Sequence, residues 1–511
     1  MASRPLRATF VALLTLVLAA TAETAVAADV PASSPLGSRQ LAMAPGDSVS
    51  VTAPDQVVKG TRMYITAKGD GSLSGKGTVE WSTDQTEWHT SATTIPVEDG
   101  QGATSWLPTK SAYYRIVGDG IQSAVWRTDV VSKSGYAISA GTRSAQVHSL
   151  ESAYLGGSAV KDGKGGAYKV RVEVRLSDGT WKSVGTVKAS SAGNFTVRVR
   201  LSADRTFRAR ILSSSGSTLA TSPTFEVELN GGTSTLEERR ALMAWRLGAA
   251  TTAIRAIAAD EVAAAKYTGG AESARIQKFK KGFLVEVTET GGTKRTWVIE
   301  GKQLTGYLDR SAWHGSLGLP ERDVKCGLLE GGCVQLFSGG AIYTNTSSMS
   351  KGIYVAYGRW PQVETLAAAY SQKYYEEPSW RESKYNEWVG GTHAWCQVFV
   401  AWSTYAAGRS GEAPVRTYFP HYVTAVKASP ALIRDPKASE IRAGDILLFD
   451  WGNGTPTHTG FAVKVSGNYV YTFEGNTTDG TADPQRGVYA RKRPLSGVWG
   501  LYHPGEYAAN S

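Results

Sequence analysis

The chain has 511 residues, of which 41% are hydrophobic and 20% charged, and its formal net charge at pH 7 is +10. This length predicts several domains, and the composition is that of a globular protein. No nucleic-acid recognition motif accompanies the positive charge, so the sequence does not favour DNA or RNA as a partner.

The N-terminal segment, residues 1–28, predicts export. Arg4 and Arg7 precede an uncharged run over residues 8–22, and the small residues Ala25-Val26-Ala27 form a cleavage site, as in a secretory signal peptide. The run is too short to span a bilayer and no other stretch approaches that length, so we expect a secreted protein that is not membrane-spanning. The net positive charge of such an exported protein suits an anionic envelope polymer such as teichoic acid.

After a predicted linker at 29–45, residues 46–131 and 136–229 are predicted to form two all-β sandwiches. Both stretches consist of short alternating runs separated by Gly, Ser and Asp. Related motifs suggest that they are repeats: Glu80-Trp81, Trp88 and Tyr113-Tyr114-Arg115 in the first, and Val170-Arg171-Val172-Glu173-Val174, Thr180-Trp181 and Thr206-Phe207-Arg208-Ala209 in the second. They resemble bacterial immunoglobulin-like (Ig-like) domains, which implies a spacer or adhesive role.

A linker around 230–234 leads to two further segments, 235–305 and 306–360. Gly-rich motifs mark the second segment: Gly315-Ser316-Leu317-Gly318-Leu319-Pro320, Gly331-Gly332, Val334-Gln335-Leu336-Phe337 and Gly339-Gly340-Ala341-Ile342-Tyr343. An earlier copy contains Leu247-Gly248-Ala249-Ala250 and Gln277-Lys278-Phe279, and it lacks the proline. Both segments resemble the LGFP repeat of wall-associated actinobacterial proteins, which implies attachment to the wall. The alternative is that the glycines only determine the fold.

The chain has 3 cysteines, and two of them are predicted to pair. Cys326 and Cys333 lie seven positions apart in a Gly-rich segment of an exported chain, which favours a short-loop disulfide. Cys396 is then left unpaired, as a nucleophile must be.

Cys396 is predicted to begin a helix with one buried face. Its apolar positions are Val398, Phe399, Ala401, Trp402, Tyr405 and Ala406. Free backbone N–H groups and the positive end of the helix dipole favour a thiolate at such a position, and the thiolate is the reactive form.

His458 is predicted to begin a β-hairpin whose return strand contains Glu474. With the three-residue loop Ser466-Gly467-Asn468, His458 faces Asn476 directly and Glu474 lies on the diagonal of the same face, whereas a two-residue loop would turn Glu474 away. Opposed Cβ atoms are roughly 5 Å apart and diagonal ones roughly 7 to 8 Å, so both side chains are expected to orient the ring. Gly460 and Ala462 continue this face, where we expect them to leave room for the cysteine helix.

These motifs, with others in order, resemble the cysteine, histidine-dependent amidohydrolase/peptidase (CHAP) domain of bacterial cell-wall hydrolases over residues 362–511. The matching motifs are Lys384-Tyr385-Asn386-Glu387-Trp388, Trp395-Cys396, Ala443-Gly444-Asp445-Ile446-Leu447-Leu448-Phe449, His458-Thr459-Gly460, Glu474-Gly475-Asn476 and Gly500-Leu501-Tyr502-His503-Pro504. The resemblance implies a papain-like α+β catalytic domain that cleaves peptidoglycan amide bonds. In it Cys396 is the nucleophile, His458 the base, and Glu474 and Asn476 the orienting residues.

Other roles follow from the same comparison. Some relatives bind calcium in an acidic loop before the cysteine, but residues 389–394 hold no carboxylate, so we predict no metal and no cofactor. By analogy with other cysteine hydrolases, the backbone N–H of Gln397, or that of Cys396, is a candidate oxyanion donor. Trp395, Trp451 and His393 are candidates for the substrate groove.

Each assignment has a simpler alternative. Cys396 can be a small buried hydrophobic residue, and Glu474 a surface carboxylate on an edge strand. His393 and His421 are rival bases, while the two tryptophans can belong to the core.

The sequence predicts a monomeric, secreted, wall-attached hydrolase, either an N-acetylmuramoyl-L-alanine amidase or an endopeptidase. A related NlpC-type endopeptidase is disfavoured by Glu474-Gly475-Asn476, since that family usually has a second histidine. A non-catalytic wall-binding or adhesive protein stays open, because more than half of the mature chain consists of modules of the binding type.

Overall fold

The computed structural model describes residues 38–41, 43, 45–98, 100–143, 146–258, 260–261, 270–346, 351–377, 382–481 and 486–509. The predicted signal peptide and most of the predicted linker at 29–45 lie outside the described residues. Across these ranges the structure is mostly β and forms several sheets, as predicted. No helix in the described ranges is both long and apolar enough to cross a membrane.

The first module, residues 38–131, is one sheet folded over its own core. Val49, Ile65, Ile95 and Ile116 are among the buried side chains that fill it. Its strands are β1 (Ser38–Leu41), β2 (Val49–Pro54), β3 (Gln56–Val58), β4 (Met63–Gly69), β5 (Gly75–Ser82), β6 (His89–Glu98), β7 (Gln101–Trp106), β8 (Ala112–Gly118), β9 (Ile121–Gln122) and β10 (Trp126–Val131). They run in the order β1-β2-β4-β7-β6-β5-β8-β10-β3, with β9 beside β8. Because β6 pairs with both β5 and β7, the two layers of the predicted sandwich are joined.

The second module, residues 136–230, has two separate sheets around a core that includes Val172, Phe195 and Phe207. Its strands are β11 (Tyr136–Thr142), β12 (Gln146–His148), β13 (Ser152–Lys161), β14 (Lys164–Gly165), β15 (Lys169–Arg175), β16 (Trp181–Lys188), β17 (Asn194–Arg200), β18 (Arg205–Leu212), β19 (Thr218–Thr221) and β20 (Phe225–Asn230). One sheet has the order β11-β13-β14 with β17 on β13, and the other has β12-β20-β18-β15-β16 with β19 on β18.

The two modules carry the same arrangement of three side chains. In the first, Arg115 Nε donates to Glu80 Oε2 at 2.8 Å, and the guanidinium lies 4.1 Å from the centre of the Trp88 ring. In the second, Arg208 Nε donates to Glu173 Oε2 at 2.8 Å and lies 4.1 Å from Trp181. In both modules the arginine follows the glutamate by 35 residues. The modules are therefore structural repeats at this position.

Residues 235–360 form two segments in which a helix precedes a four-stranded sheet. The first consists of α1 (Leu236–Leu247), β21 (Arg255–Ile257), β22 (Ala271–Phe279), β23 (Gly282–Glu289) and β24 (Lys294–Glu300). The second consists of α2 (Gly301–Leu308), β25 (Lys325–Leu328), β26 (Gly332–Phe337), β27 (Gly340–Thr344) and β28 (Ile353–Tyr357). Each sheet follows the order of its strands in the sequence.

The same backbone hydrogen bonds recur in both segments. Lys281 N donates to Leu247 O and Lys280 N to Ala249 O, and the second segment repeats these bonds with Gly339 N to Leu317 O and Ser338 N to Leu319 O. Two buried side-chain amides also make equivalent hydrogen bonds. Gln277 donates to Thr252 O, and Gln335 donates to Arg322 O. The glutamines of the two motifs thus close equivalent turns, which is a role in the fold.

The C-terminal segment, from residue 362, combines helices with an antiparallel sheet. The helices are α3 (Val363–Tyr370), α4 (Lys384–Val389), α5 (Cys396–Ala406), α6 (Phe419–Lys427) and α7 (Pro504–Ala509). The strands are β29 (Leu432–Arg434), β30 (Ile446–Phe449), β31 (His458–Ser466), β32 (Tyr469–Thr478), β33 (Arg486–Pro494) and β34 (Val498–Tyr502). They form one sheet of order β29-β34-β30-β31-β32-β33.

The sheet β25–β28 belongs to two cores. Val334, Leu336 and Tyr343 are buried with the helices of the C-terminal segment, whereas Phe337 and Ile342 are buried with the preceding segment. The predicted boundary near residue 361 therefore divides the sequence into two segments, but the two segments share a hydrophobic core.

The predicted disulfide between Cys326 and Cys333 is confirmed, and Cys396 is free. The two paired residues lie opposite each other on β25 and β26.

A buried carboxylate also crosses the boundary near residue 361. Glu364 is 2% exposed, and it accepts hydrogen bonds from Arg322 Nε at 3.1 Å and from Arg409 Nη1 at 3.1 Å. Arg322 precedes the boundary and Arg409 follows it, so this carboxylate ties the two sides together.

Replacement of Glu364 by alanine should therefore destabilise the whole chain. Removing one partner of a buried ion pair leaves uncompensated charge, which costs about 3–5 kcal/mol. Urea unfolding of Glu364→Ala measures this loss in the free energy of unfolding. The control is Glu272→Ala at an exposed position, which should change it by less than about 0.5 kcal/mol. Equal stability of the two variants would contradict the role given to Glu364.

Candidate functional site

Cys396 is the first residue of helix α5, as predicted, and is 2% exposed. The helix lies against β31 and β32, where the Phe399 ring is 5.9 Å from the Phe461 ring and 6.3 Å from the Phe473 ring. Gly475 permits this contact, because a Cβ on it would lie 2.5 Å from the Phe399 Cβ. Large apolar side chains thus fix the nucleophile candidate against the sheet.

This packing differs from the prediction, which placed Gly460 and Ala462 on the face that contacts the cysteine helix. Phe461 contacts the cysteine helix, whereas Ala462 is buried on the other side of the sheet with Leu447 and Phe449. Gly460 makes room for Glu474, since a Cβ at residue 460 would lie 2.6 Å from the Glu474 Cγ. The aromatic residues determine the face because they bury more apolar area than alanine and glycine.

The hairpin loop is also shorter than predicted. Ser466 pairs with Tyr469, so the loop has two residues, Gly467 and Asn468. A β-bulge between Ala462 and Lys464 inserts one extra residue and restores the predicted pairing of Ala462 with Thr472. His458 and Glu474 therefore share a face despite the shorter loop.

His458 and Glu474 are hydrogen-bonded. His458 Nε2 lies 2.9 Å from Glu474 Oε2, and Glu474 is fully buried at 0% exposure. Since Nε2 donates to this carboxylate, Nδ1 is the nitrogen left for the Cys396 thiol. The His458 ring interacts with both the Cys396 thiol and the Glu474 carboxylate, which is the combination that nucleophilic catalysis requires.

Two further side chains hold the Glu474 carboxylate. Arg493 donates from Nε to Oε1 at 2.9 Å and from Nη2 to Oε2 at 2.6 Å. Thr472 Oγ1 donates to Oε1 at 2.5 Å. The carboxylate thus accepts four hydrogen bonds, and the two-point contact with Arg493 fixes its plane.

The charges at this site depend on opposing effects. Burial alone lowers the pKa of His458, but hydrogen bonds with Cys396 and Glu474 raise it to about 9. Burial alone raises the pKa of Glu474, but hydrogen bonds from Arg493 and His458 lower it to about 2. At neutral pH the pair is therefore an imidazolium and a carboxylate.

Gln397 contacts the thiol through its side chain. Cys396 Sγ donates to Gln397 Oε1 at 3.4 Å, and Gln397 Nε2 lies 3.3 Å from the carbonyl oxygens of both Arg416 and Thr417. The backbone N–H groups of Cys396 and Gln397 lie in the first helical turn, where no intrahelical carbonyl is available to them. The oxyanion role of Gln397 stays a prediction.

Asn476 lies beside the site but its amide points elsewhere. It has φ 55°, within a bulge of β32 between Glu474 and Thr477. Its side-chain Oδ1 accepts from Arg486 Nη1 at 3.3 Å, and its carbonyl oxygen accepts from the same atom at 3.0 Å. The predicted contact of the Asn476 amide with His458 is therefore replaced by one with Arg486, because the bulge rotates the chain after Glu474.

The three groove candidates fall in different environments. Trp395 is fully buried and stacks on Tyr385 at 4.9 Å, so it is a core residue and the prediction that it lines a groove is wrong. Trp451 is 48% exposed and stacks on Phe449 at 5.5 Å, with Arg493 5.0 Å from its ring. His393 is exposed beside Tyr418.

Two residues of the site were not anticipated, Thr472 and Arg493. Thr472 lies two positions before Glu474 and so shares its strand face. Arg493 is the third of three consecutive basic residues, after Arg491 and Lys492. Side chains alternate between the two faces of a strand, so the alternation excludes Lys492 but not Arg491. In the sheet, Arg493 pairs with Val470 and Arg491 with Thr472. Only the folded register distinguishes the two arginines.

No group of three histidine, cysteine or acidic side chains within the described residues is arranged to hold a metal ion.

No family model matches this chain, and no curated protein matches it. Among solved structures it is similar to the endolysin LysIME-EF1, with 16% identity, a TM-score of 0.20, and coverage of 28% of this chain and 63% of the endolysin. It is also similar to fibronectin(III)-like modules of Clostridium thermocellum CbhA, with 12% identity, a TM-score of 0.15 and coverage of 35% and 94%. A third similar structure is the D0-D1 domain of intimin, with 13% identity, a TM-score of 0.17, and coverage of 35% of this chain and 97% of that domain. TM-scores this low carry no functional argument.

The pKa of His458 should fall below 9 when Glu474 is replaced by glutamine. The carboxylate favours the charged ring, so its loss favours the neutral ring. In the parent protein the ring's contribution to stability is complete below pH 6.5 and is lost as pH rises through 9. NMR titration of the imidazole resonances in Glu474→Gln measures the shift, with Glu506→Gln at a 56% exposed side chain as control. An unchanged titration midpoint would contradict the pairing.

Proposed function

We propose that this protein is a secreted, wall-associated hydrolase that cleaves peptidoglycan amide bonds through Cys396, as an N-acetylmuramoyl-L-alanine amidase or an endopeptidase. The observation that carries the proposal is the series of Cys396, His458 and the buried, ionised Glu474. A carboxylate with four hydrogen-bond donors is fixed in position, so it holds one ring nitrogen and presents the other to the thiol.

The position of the cysteine supports a papain-like catalytic domain. Cys396 begins a helix that lies against an antiparallel sheet, and His458 begins a strand of that sheet. The helix start supplies free N–H groups, and the imidazolium supplies positive charge, so both features place positive charge close to the Cys396 sulfur.

The reaction then proceeds in two steps. The Cys396 sulfur attacks the amide carbonyl carbon while His458, which has taken the thiol proton, returns it to the nitrogen of the leaving amine. This step breaks the C–N bond and forms a thioester. Water then attacks the thioester, His458 takes a proton from the water and returns it to sulfur, and a carboxylic acid is released.

The substrate class rests on the resemblance of the motifs to CHAP domains. The secretory signal, the LGFP-like segments and the positive charge of +10 all favour the cell wall as the location. Trp451 is an exposed aromatic next to the ring pair of Phe449 and His458, which are 6.1 Å apart, so it is the best-placed groove residue.

Replacement of Cys396 by alanine should lower turnover by on the order of 10³-fold or more, because the nucleophile acts as one unit with its base. The measurement uses the full chain on a soluble muropeptide and on whole sacculi, with mass spectrometry of the released fragments. The fragments identify the amide bond that is cut. If Cys396→Ala digests the muropeptide as fast as the parent, the nucleophile assignment fails.

One observation favours a second function, that of a non-catalytic wall-binding or adhesive protein. Cys396 is only 2% exposed, and large cavities of about 490 and 520 Å³ lie elsewhere, lined by residues of the first and second modules and of residues 246–346. If the protein has this second function, the parent protein binds sacculi but releases no fragments from sacculi or from the soluble muropeptide.

Arg493 should act as a positioning residue for Glu474. In Arg493→Gln the carboxylate loses two of its donors and its charge partner, so its pKa rises and its hold on His458 weakens. We expect a lower kcat, an unchanged KM and an altered pH profile, with partial rescue in Arg493→Lys. Lys492→Gln removes the same charge from the adjacent, exposed position and should behave as the parent. Loss of stability without a change in the pH profile would point to a merely structural role.

A further inference from the structure

A cleft of about 520 Å³ lies at the junction of the second module with residues 246–346. Strands β16 and β17 line one side of it, and β25 with the Cys326–Cys333 disulfide lines the other. It shares no residue with the site around Cys396. Its lining contains hydroxyl groups, apolar side chains and two arginines, Arg198 and Arg246.

Two arginines of this cleft share one carboxylate. Glu300 accepts from Arg198 Nη1 at 2.6 Å, from Arg246 Nε at 2.8 Å and from the Tyr154 hydroxyl at 3.1 Å. One carboxylate thus serves two guanidinium groups. Arg246 is 37% exposed, so its guanidinium is accessible to a ligand.

Arg198 has donors that are poorly used. Its side chain is 13% exposed, and its Nη2 points at Cys326 Sγ at 2.9 Å, which is a weak acceptor. Its Nε is buried and has no acceptor within the described part of the chain. Arg198 lines the cleft, and an anionic ligand there would be a stronger acceptor for its Nη2 than the Cys326 sulfur.

The cleft also presents an unpaired strand edge. Within the described residues, strand β16 pairs with β15 and its other edge has no strand partner. Residues 183–187 of β16 line the cleft, with a bulge at Val184, where Gly327 lies against the carbonyl oxygen. An edge of this kind binds an extended peptide as an added strand. Phosphate polymers have no backbone N–H groups to pair there.

We propose that this cleft binds a short extended peptide with a free carboxylate. The carboxylate lies against Arg198 and Arg246, and the peptide backbone runs along β16. Where the proposed function holds, stem peptides of the wall are such ligands. The inference does not need the chemistry of Cys396, because every group that it uses lies outside that site.

The test is isothermal titration calorimetry on the full chain carrying Cys396→Ala, so that no probe is cleaved. The probes are N-acetyl-trialanine, its C-terminal amide and inorganic phosphate. The free acid should bind, and the amide should bind at least about tenfold more weakly, because charge-assisted hydrogen bonds are lost.

The matched variants lie on the same helix. Arg246→Gln should weaken binding of the free acid about tenfold, whereas Arg240→Gln, at an exposed position, should bind as the parent. Arg246→Lys keeps the charge and should bind the free acid with intermediate affinity. This variant replaces Arg246→Gln in the test if circular dichroism shows that Arg246→Gln is not folded.

Three outcomes would overturn the proposal: equal binding of acid and amide, equal loss in the Arg240 and Arg246 variants, or binding of phosphate without binding of the peptide. The last would assign the cleft to a phosphate polymer. Failure of the Cys396 proposal leaves this result unaffected, since the binding is measured in a protein that lacks the thiol.

Discussion

The candidate site depends on one buried carboxylate. An ionised Glu474 without water costs several kcal/mol unless donors surround it, and here Arg493, Thr472 and His458 supply four hydrogen bonds. Each donor comes from a different point of the sheet, so the carboxylate is satisfied only when β31, β32 and β33 are in register. Gly460 provides the space for its side chain. The orientation of the His458 ring is thus a consequence of the fold of the sheet.

The sequence predicts the parts of this site better than their exact partners. The helix at Cys396 and the hairpin after His458 follow from local periodicity, which survives folding because each element buries one face. The bulges in β31 and β32 do not follow from periodicity, since one inserted residue reverses every later side chain. One bulge compensates for the short loop and keeps Glu474 on the face of His458, whereas the other turns Asn476 toward Arg486.

The repeats were visible in the sequence for a physical reason. Glu80 and Arg115, like Glu173 and Arg208, form an ion pair across two strands under a tryptophan, so residue type and spacing are both constrained. Boundaries were harder to predict. A domain boundary was expected near residue 361, but no pattern in the sequence shows that β25–β28 is apolar on both faces because two different cores cover it.

That shared sheet makes the cysteine helix depend on the upstream chain. Helices α3 and α5 are buried together with Val334, Leu336 and Tyr343, so the support of Cys396 begins before residue 362. Without residues 322–357, apolar side chains of α3 would be exposed, and Glu364 would lose Arg322. The preceding segment therefore does more than hold the C-terminal segment near a wall. It completes the core that holds the start of α5 against β31 and β32, and hence the distance between the thiol and the imidazole.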